Sequence, residues 1–361
     1  VSLAYLREPD AVQLRSTLLA RAAGLESEGD EPAAPAPERE ILSVQTGILV
    51  GSLLRSSVVV SVVLAVVVIV VAGVVARQPG LVLSLAIGFF PLAGYVWQRF
   101  STEFGFRVAQ SPDGIRLRHG LLESRAQTVP PGRVQAVRLV QPLLWRGRDW
   151  WRVEMNIAGY VQEENKASET VLLPVGTRTE ALLALWLVLP DLGANDPRGV
   201  LDEALSGSDR AHGFVTSPAR ARWLDPISWR RNGYVLTDRA VLVRRGRLNR
   251  RVDVVPHERT QSLGLHQGPL QRRFRLATVT LHSTPGPVRP IVEHLGAGAA
   301  GALLDAQSVR ARRARAEAGP EQWMRRGGAP AAPPASAPPP PPPSTPPPAA
   351  PPPPPAGWGE E

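Results

Sequence analysis

The chain has no cysteine among its 361 residues. That excludes disulfides, thiolate metal sites and cysteine nucleophiles from this chain. Lys166 is its only lysine, so the formal charge of +9 rests on arginine. With the abundance of Ala, Val and Pro, we read the arginine bias as the composition of a GC-rich genome, while the net charge still favours anionic partners. The six histidines (His119, His212, His257, His266, His282 and His294) show no H-E-x-x-H or other metal-ligand spacing, and neither a G-x-S-x-G elbow nor a Walker loop occurs. "GAGAAG" at 296–301 matches G-x-G-x-x-G, but that fingerprint needs a βαβ unit and an acidic residue about 20 positions on. Here Asp305 follows almost at once. Aromatic and basic residues interleave only in "WRGRDWW" at 145–151, so no nucleic-acid partner is expected. These absences predict a protein that is not an enzyme, with no cofactor and no metal.

Long apolar runs are present. "SSVVVSVVLAVVVIVVAGVVA" at 56–76 carries no charge over about the length that crosses a bilayer core. After "RQPG", a second run extends from Leu81 to Trp97 with Pro91 inside it, and Tyr95 and Trp97 stand where an interfacial aromatic belt would lie. Residues 46–98 therefore read as a transmembrane helical hairpin. Arg39 and Arg55 precede it and Arg99, Arg107, Arg116 and Arg118 follow it, against Arg77 alone in the turn. The positive-inside rule then puts both ends in the cytoplasm, in a multi-pass protein of the plasma membrane.

A sparse pattern occurs twice at a constant separation of 126 residues, as "PPGRVQAVRLVQPLLWR" at 130–146 and "PHERTQSLGLHQGPLQR" at 256–272. Pro130, Arg133, Gln135, Leu139, Gln141, Leu144 and Arg146 recur as Pro256, Arg259, Gln261, Leu265, Gln267, Leu270 and Arg272. Around each copy, short alternating stretches bounded by Gly and Pro predict strands, as in "GIRLRHG" (114–120), "WRVEMNIAG" (151–159), "YVLTDRAVLVRRGRL" (234–248) and "LATVTLHSTPG" (276–286). A helix capped by Thr177 or Thr179 is expected to close the first copy, and an Ala-rich helix from about Pro290 the second. The predicted organisation is a C-terminal remnant of an upstream module at 1–25, a linker at 26–45, the hairpin at 46–98 and a module at 99–190. A linker at 191–219, a second module at 220–316 and a disordered proline-rich tail at 317–361 complete it. The tail's prolines lack the amide donor and fix φ, which suits an extended polyproline-II spacer.

Arg245-Gly246, Val255-Pro256, Arg259, Gln261, Gln267, Leu270 and Arg272, with Gly120, Val129, Pro130, Arg133, Gln135 and Gln141 in the first copy, carry a resemblance. The chain resembles the bacterial pleckstrin-homology-like, membrane-flanked domain family typified by YdbT-like proteins. The resemblance implies a mixed fold, a transmembrane α-helical hairpin with tandem small antiparallel β-barrels or sandwiches, each closed by a C-terminal helix. It also implies a companion membrane protein carrying the same module as a partner. Arg275, Asp149 and Thr260 depart from the family's pattern.

The shared residues read as structural: Pro sets a turn, Arg and Gln satisfy strands, and Leu fills the core. The functional expectation falls on "RRGRLNRR" at 244–251, where Arg244, Arg245, Arg247, Arg250 and Arg251 crowd one hairpin turn as candidate anionic-lipid contacts. Tyr95, Trp97, Trp223 and Trp229 are the candidate interfacial anchors. The expected function is a non-enzymatic scaffold for protein or lipid interaction at the inner leaflet of the bilayer. The alternative is a specific binding module for anionic lipid head groups.

Overall fold

The structure is a computed structural model that describes residues 39–77, 92–111, 114–130, 132–159, 170–208 and 210–317. The expected upstream remnant at 1–25, the proline-rich tail from 318 on, and residues 81–91 of the second apolar run lie outside the described residues.

Strand β1 (Arg39–Ser43) leads into helix α1 (Thr46–Leu54) and the long helix α2 (Ser57–Val75). A helix over 92–103, α3, returns the chain to the sheets. Strands β2 (Arg107–Ser111), β3 (Gly114–His119), β4 (Arg125–Val129), β5 (Val134–Gln141), β6 (Trp150–Ile157) and β7 (Val171–Thr177) follow, closed by helix α4 (Arg178–Val188). Helix α5 (Pro197–Ser206) and strand β8 (Val215–Thr216) precede β9 (Gly233–Leu236), β10 (Ala240–Arg245) and β11 (Arg250–Pro256). The chain continues through β12 (Ser262–His266), the one-turn helix α6 (Pro269–Arg273), β13 (Leu276–His282), β14 (Ile291–Gly296) and helix α7 (Ala297–Glu317).

The two copies of the repeat are not separate barrels. Their strands form a four-stranded sheet β1-β2-β3-β4, a seven-stranded sheet β7-β6-β5-β11-β10-β9-β8 and a three-stranded sheet β12-β13-β14. The central sheet takes three strands from the first copy and four from the second, joined where β5 pairs antiparallel with β11. Strand alternation then sorts side chains onto two faces. Val137, Leu139, Leu242, Val252 and Val254 join one core with residues of α4 and α5. Ala136, Val241, Val243 and Val255 face the other, filled from β13, β14 and α7. Because both faces are covered, these strands are apolar at successive positions, which pure alternation in the sequence does not announce.

The seam between the copies holds a buried ion pair. Arg138 and Asp253 are direct cross-strand partners. Arg138 Nε donates to Asp253 Oδ1 at 2.5 Å and its Nη2 to Oδ2 at 3.1 Å, a bidentate geometry. The same guanidinium donates to the carbonyls of Pro287 and Arg289 in the second copy. Burial opposes its charge, but the hydrogen bonds to Asp253 and the charges of Asp253 and Glu154 outweigh that and raise its pKa. Asn156 on β6 adds a second polar lock, donating to Val288 O at 2.8 Å and accepting from Val288 N at 2.9 Å. Gly286 lies so close to the Asn156 amide that a Cβ there would collide with it.

Several boundaries differ from the sequence reading. The supposed linker at 26–45 contains β1, whose partner β2 lies across the whole apolar excursion and so leaves no local signal. The supposed linker at 191–219 contains α5, N-capped by Asp196, which accepts from Gly199 N at 2.9 Å, and burying Val200, Leu201, Ala204 and Leu205. Its Gly-, Asp- and Ser-rich flanks mask one short amphipathic helix. The helix expected from Pro290 begins only at Ala297, after β14. "GAGAAG" thus follows a strand, but that strand belongs to an antiparallel sheet without a βαβ unit. Thr177 caps α4, with Glu180 Oε2 accepting in return from Thr177 N at 2.7 Å. The family departures Asp149 and Arg275 occupy the same repeat position, and both take left-handed backbone, φ 50° and 51°.

Removing one partner of a buried ion pair leaves an uncompensated charge, whereas replacing both by apolar groups is far less costly. We expect Asp253→Ala to lower the free energy of unfolding by about 3–5 kcal/mol, with Arg138→Met/Asp253→Leu recovering most of it. Denaturant titration of the three chains checks this.

Candidate functional site

The first copy is built around the base of the apolar excursion. Val44 N donates to Phe106 O at 2.9 Å, and β1 pairs with β2 from Arg39 opposite Gln110 to Ser43 opposite Arg107. The chain therefore leaves and re-enters the fold at one place. Helix α1 packs Leu49 and Leu53 against Trp145, Trp150 and Val175, with Phe100 of α3 alongside. Trp145 Nε1 donates to Ser52 O at 3.1 Å, and the Arg55 guanidinium lies over the Trp150 ring at 5.6 Å. Glu103 on α3 accepts from Arg152 Nη1 at 2.7 Å. Both legs are thus fixed to the same module.

Packing stops at Ser56, whose hydroxyl accepts from Val59 N and caps α2. Of the 19 residues of α2, only Gly73 is buried, and Leu64, Val68 and Val71 are exposed. A soluble core helix of this composition would bury its face, and this one does not. At about 1.5 Å per residue it spans roughly 28 Å, close to the thickness of a bilayer core. It is the one helix among the described residues long and apolar enough to cross a membrane. Helix α1, placed inside the expected hairpin, is instead docked on the module. The expected anchors Tyr95 and Trp97 lie on α3; Trp97 is 54% exposed and Tyr95 Oη accepts from Arg99 Nη1 at 3.2 Å.

Two hairpin tips correspond in the repeat, 120–124 and 246–250. Each starts on a glycine with positive φ, Gly120 and Gly246, where an added Cβ would strike the backbone oxygen of Glu123 or Asn249. The first tip bonds to the end of α3, Gly120 N to Phe104 O and Leu121 N to Ser101 O, both at 2.8 Å, and leaves Leu122 79% exposed. The second tip is held by Ser228 Oγ, which accepts from Arg247 N at 3.2 Å, and by Arg146 of the first copy, which donates to the carbonyls of Arg247 and Leu248. Beside it a depression of about 300 Å³ is lined by Ile227, Arg245, Arg247, Leu248, Arg251 and Glu293, among others.

The five arginines expected on one exposed loop separate here. Arg244 is fully buried. It pairs with the Glu203 carboxylate, donates to Glu203 O at 2.9 Å and Arg231 O at 3.0 Å, and lies 4.1 Å over the Phe214 ring. It is not a surface contact, because the alternation that buries Ala240 and Leu242 in β10 carries on to 244. Arg245 is mostly buried, and burial lowers its pKa, with Asp253 opposing and Arg138 and Arg251 adding to the shift. Arg251, opposite Arg245 in the hairpin, is partly buried. Arg247 is exposed, and Arg250 is half-buried with its Nη1 donating to Gln141 Oε1 at 3.2 Å.

Sequence reasoning missed Arg146 and Arg231. Arg146 brings a third positive group to the second tip, and burial with Arg250 and Arg247 nearby lowers its pKa. Arg231 closes the C-terminal end of α5 through the carbonyls of Ala204, Leu205 and Gly207. Burial, followed by Arg250, Arg244 and Arg146, pulls it down to about 9, so it stays charged at neutral pH. The shared spacing of Arg146 with Arg272 was the available signal, read only as fold. Leu144, Leu265 and Leu270 of the repeat are exposed rather than core, and Leu143 and Leu248 join them at the surface. Trp223 is 68% exposed with Arg222 over its ring at 5.4 Å, while Trp229 is half-buried under Arg230.

Each copy runs through four early strands and three late ones and ends in a helix, the late strands of the first copy and the early strands of the second sharing the central sheet. This is the plan of a pleckstrin-homology-type module, used twice. The family model for the bacterial PH domain matches residues 48–184 and 211–311, more than half of the chain. The chain belongs to the bacterial PH domain family. No curated protein matches it.

Proposed function

We propose that this chain is a non-enzymatic, membrane-anchored scaffold whose two bacterial PH modules present interaction surfaces for protein or lipid at the inner leaflet. The observation that carries this reading is the β1–β2 clamp at the foot of an apolar helix whose only buried residue is Gly73. If α2 crosses a bilayer, Val44 and Phe106, hydrogen-bonded to one another, must stand on the same side, so the chain must cross back before residue 106. The second apolar run from Leu81 supplies that return, and the arginine-rich flanks favour the cytoplasm for both ends. A multi-pass protein of the plasma membrane follows from this reading, with a companion protein carrying the same module as a candidate partner.

The absence of cysteine makes the topology readable by single substitutions. In intact cells, an impermeant maleimide should label Gln78→Cys, and should label Arg312→Cys only after permeabilisation. Labelling of Arg312→Cys in intact cells would overturn the orientation, and release of the chain by alkaline carbonate would overturn the anchoring.

A second reading, recognition of an anionic lipid head group, is favoured by Arg146, Arg247 and Arg250 meeting at the second hairpin tip beside Leu248 and Ile227. A basic surface near anionic lipid gains on the order of 1 kcal/mol per arginine, decreasing with salt. Measured by reconstitution with headgroup-labelled phosphatidylglycerol, Arg247→Ala and Arg250→Ala are expected to weaken lipid contact several-fold at low salt without loss of stability. Arg244→Ala, which removes one partner of the buried pair with Glu203, is expected instead to lower stability by about 3–5 kcal/mol. Lipid contact by Arg247→Ala and Arg250→Ala equal to the parent's would leave the protein-scaffold reading alone.

A further inference from the structure

The apolar excursion that leaves the fold after Ser56 comes back through α3, and the end of that leg is capped by the first hairpin tip. A helix leaves its last carbonyls without intrahelical donors. Successive residues of the β3–β4 turn take three carbonyls at and just past the end of α3. His119 Nδ1 lies 2.8 Å from Thr102 O, Gly120 N donates to Phe104 O and Leu121 N to Ser101 O, the last two also at 2.8 Å. From Gly120 to Leu121 the partner steps back from Phe104 to Ser101, towards the N-terminal end of α3, where the second apolar run joins it. At 1.5 Å per residue that step is about 4.5 Å of helix axis, and Trp97 lies roughly 6 Å further along. The turn therefore advances along the leg towards the apolar run, and its next residue, Leu122, is 79% exposed.

Exposure by itself decides nothing, since Leu183 on α4 and Leu270 on α6 are exposed too. Position and composition single out the tip "GLLES" at 120–124. Leu121 is exposed beside Leu122, and the acidic residue of the tip, Glu123, is paired with Arg125 at 3.1 Å. The repeat places Arg247 against Leu121 and Arg250 against Ser124, so the tip bonded to a leg is apolar where its counterpart is basic. The outgoing leg has a similar neighbour. Leu143 and Leu144, both exposed, immediately precede Trp145, whose ring nitrogen donates to Ser52 O in the last turn of α1, just before α2 begins. A pair of exposed leucines thus stands at the foot of each leg.

We propose that the Leu121–Leu122 tip enters the acyl boundary of the bilayer beside α3, and that Leu143 and Leu144 border the same boundary beside α2. This rests on the reading that the apolar excursion crosses a bilayer, and adds that the first module itself touches lipid hydrocarbon. Apolar side chains of surface elements reach about 5–10 Å into that boundary. The positive φ of Gly120 sets the turn and the backbone bonds to α3 hold it, so the leucines are presented on a fixed support. The tip offers methyl groups and an internally paired Glu123–Arg125, so its contact is with hydrocarbon and is insensitive to salt, unlike that of the basic second tip.

The full chain reconstituted in phosphatidylethanolamine–phosphatidylglycerol vesicles tests this, because a chain without thiols can carry one nitrobenzoxadiazole label on one introduced cysteine. A label on Leu122→Cys should be quenched several-fold more by phospholipid with a nitroxide at a shallow acyl carbon than by one with it at a deep carbon, equally at low and high salt. A label on Val67→Cys, near the middle of α2, should be quenched mainly by the deep nitroxide, and one on Arg312→Cys by neither. A label on Ser124→Cys should lose most of its shallow quenching when Leu121→Gln and Leu122→Gln are added, with an unchanged melting temperature in detergent. Quenching at Val67→Cys without quenching at Leu122→Cys would overturn the proposal and leave the anchoring intact. No quenching at Val67→Cys would overturn the anchoring and this proposal with it. Quenching at Arg312→Cys equal to that at Leu122→Cys, or at Ser124→Cys regardless of the glutamines, would trace the signal to the label and overturn the proposal as well.

Discussion

The Arg138–Asp253 pair is the interaction on which the rest of this structure depends. Among the described residues, it is the place where opposite charges from the two copies meet across paired strands with both faces covered. Each partner is tolerable inside only because the other is there, and the carbonyls of Pro287 and Arg289 complete the shell around the guanidinium. Once β5 and β11 are joined, the apolar residues of α5 have a continuous surface to cover, and α5 in turn gives Arg231 and Arg244 the helix end they bind. Two sheets that would each expose an edge become a single layer.

That construction bears on function through what it holds still. The base of α2 is attached to the module by packing of Trp145 and Trp150 on α1 and by the Glu103–Arg152 pair on α3, so the helix and the sheet cannot turn independently at their junction. Arg146 reaches from the first copy to the tip of the second, which fixes the arginine-bearing hairpin relative to the foot of the apolar helix. A surface proposed to face lipid or a partner protein is thereby kept at a set distance from the proposed anchor. Rigid presentation is the property a scaffold requires.

Much of the fold was legible in the sequence because the repeat conserves local geometry. Gly120 and Gly246 and the two Pro-led turns mark the same bends in both copies, and the alternating stretches between them gave strands; Asp149 and Arg275, read as departures from the family's pattern, share one repeat position and a left-handed backbone. The joint between copies was not legible as such, since it lies where the copies differ: Asp253 against Gln127, and Arg138 against Gly264. Strand β1 escaped because its partner β2 lies beyond the apolar excursion, with Arg39 opposite Gln110 and Ser43 opposite Arg107. Arg244 was misplaced for a plainer reason: a basic run was read as a loop although the two-residue period of "AVLVRR" continues through it. Charge counted along the sequence says little about exposure when a strand alternates.

The central claim is that the two PH modules are one cooperative unit rather than two tethered ones. Native-state hydrogen exchange measures this most directly, because it reports the opening free energy of each strand. The account predicts that the slowest amides of β5 and β11 share one opening, which also releases β10 and β6. If the amides of β9–β14 exchanged through a separate opening of lower free energy while β5–β7 stayed protected, the modules would be independent and the account would be contradicted.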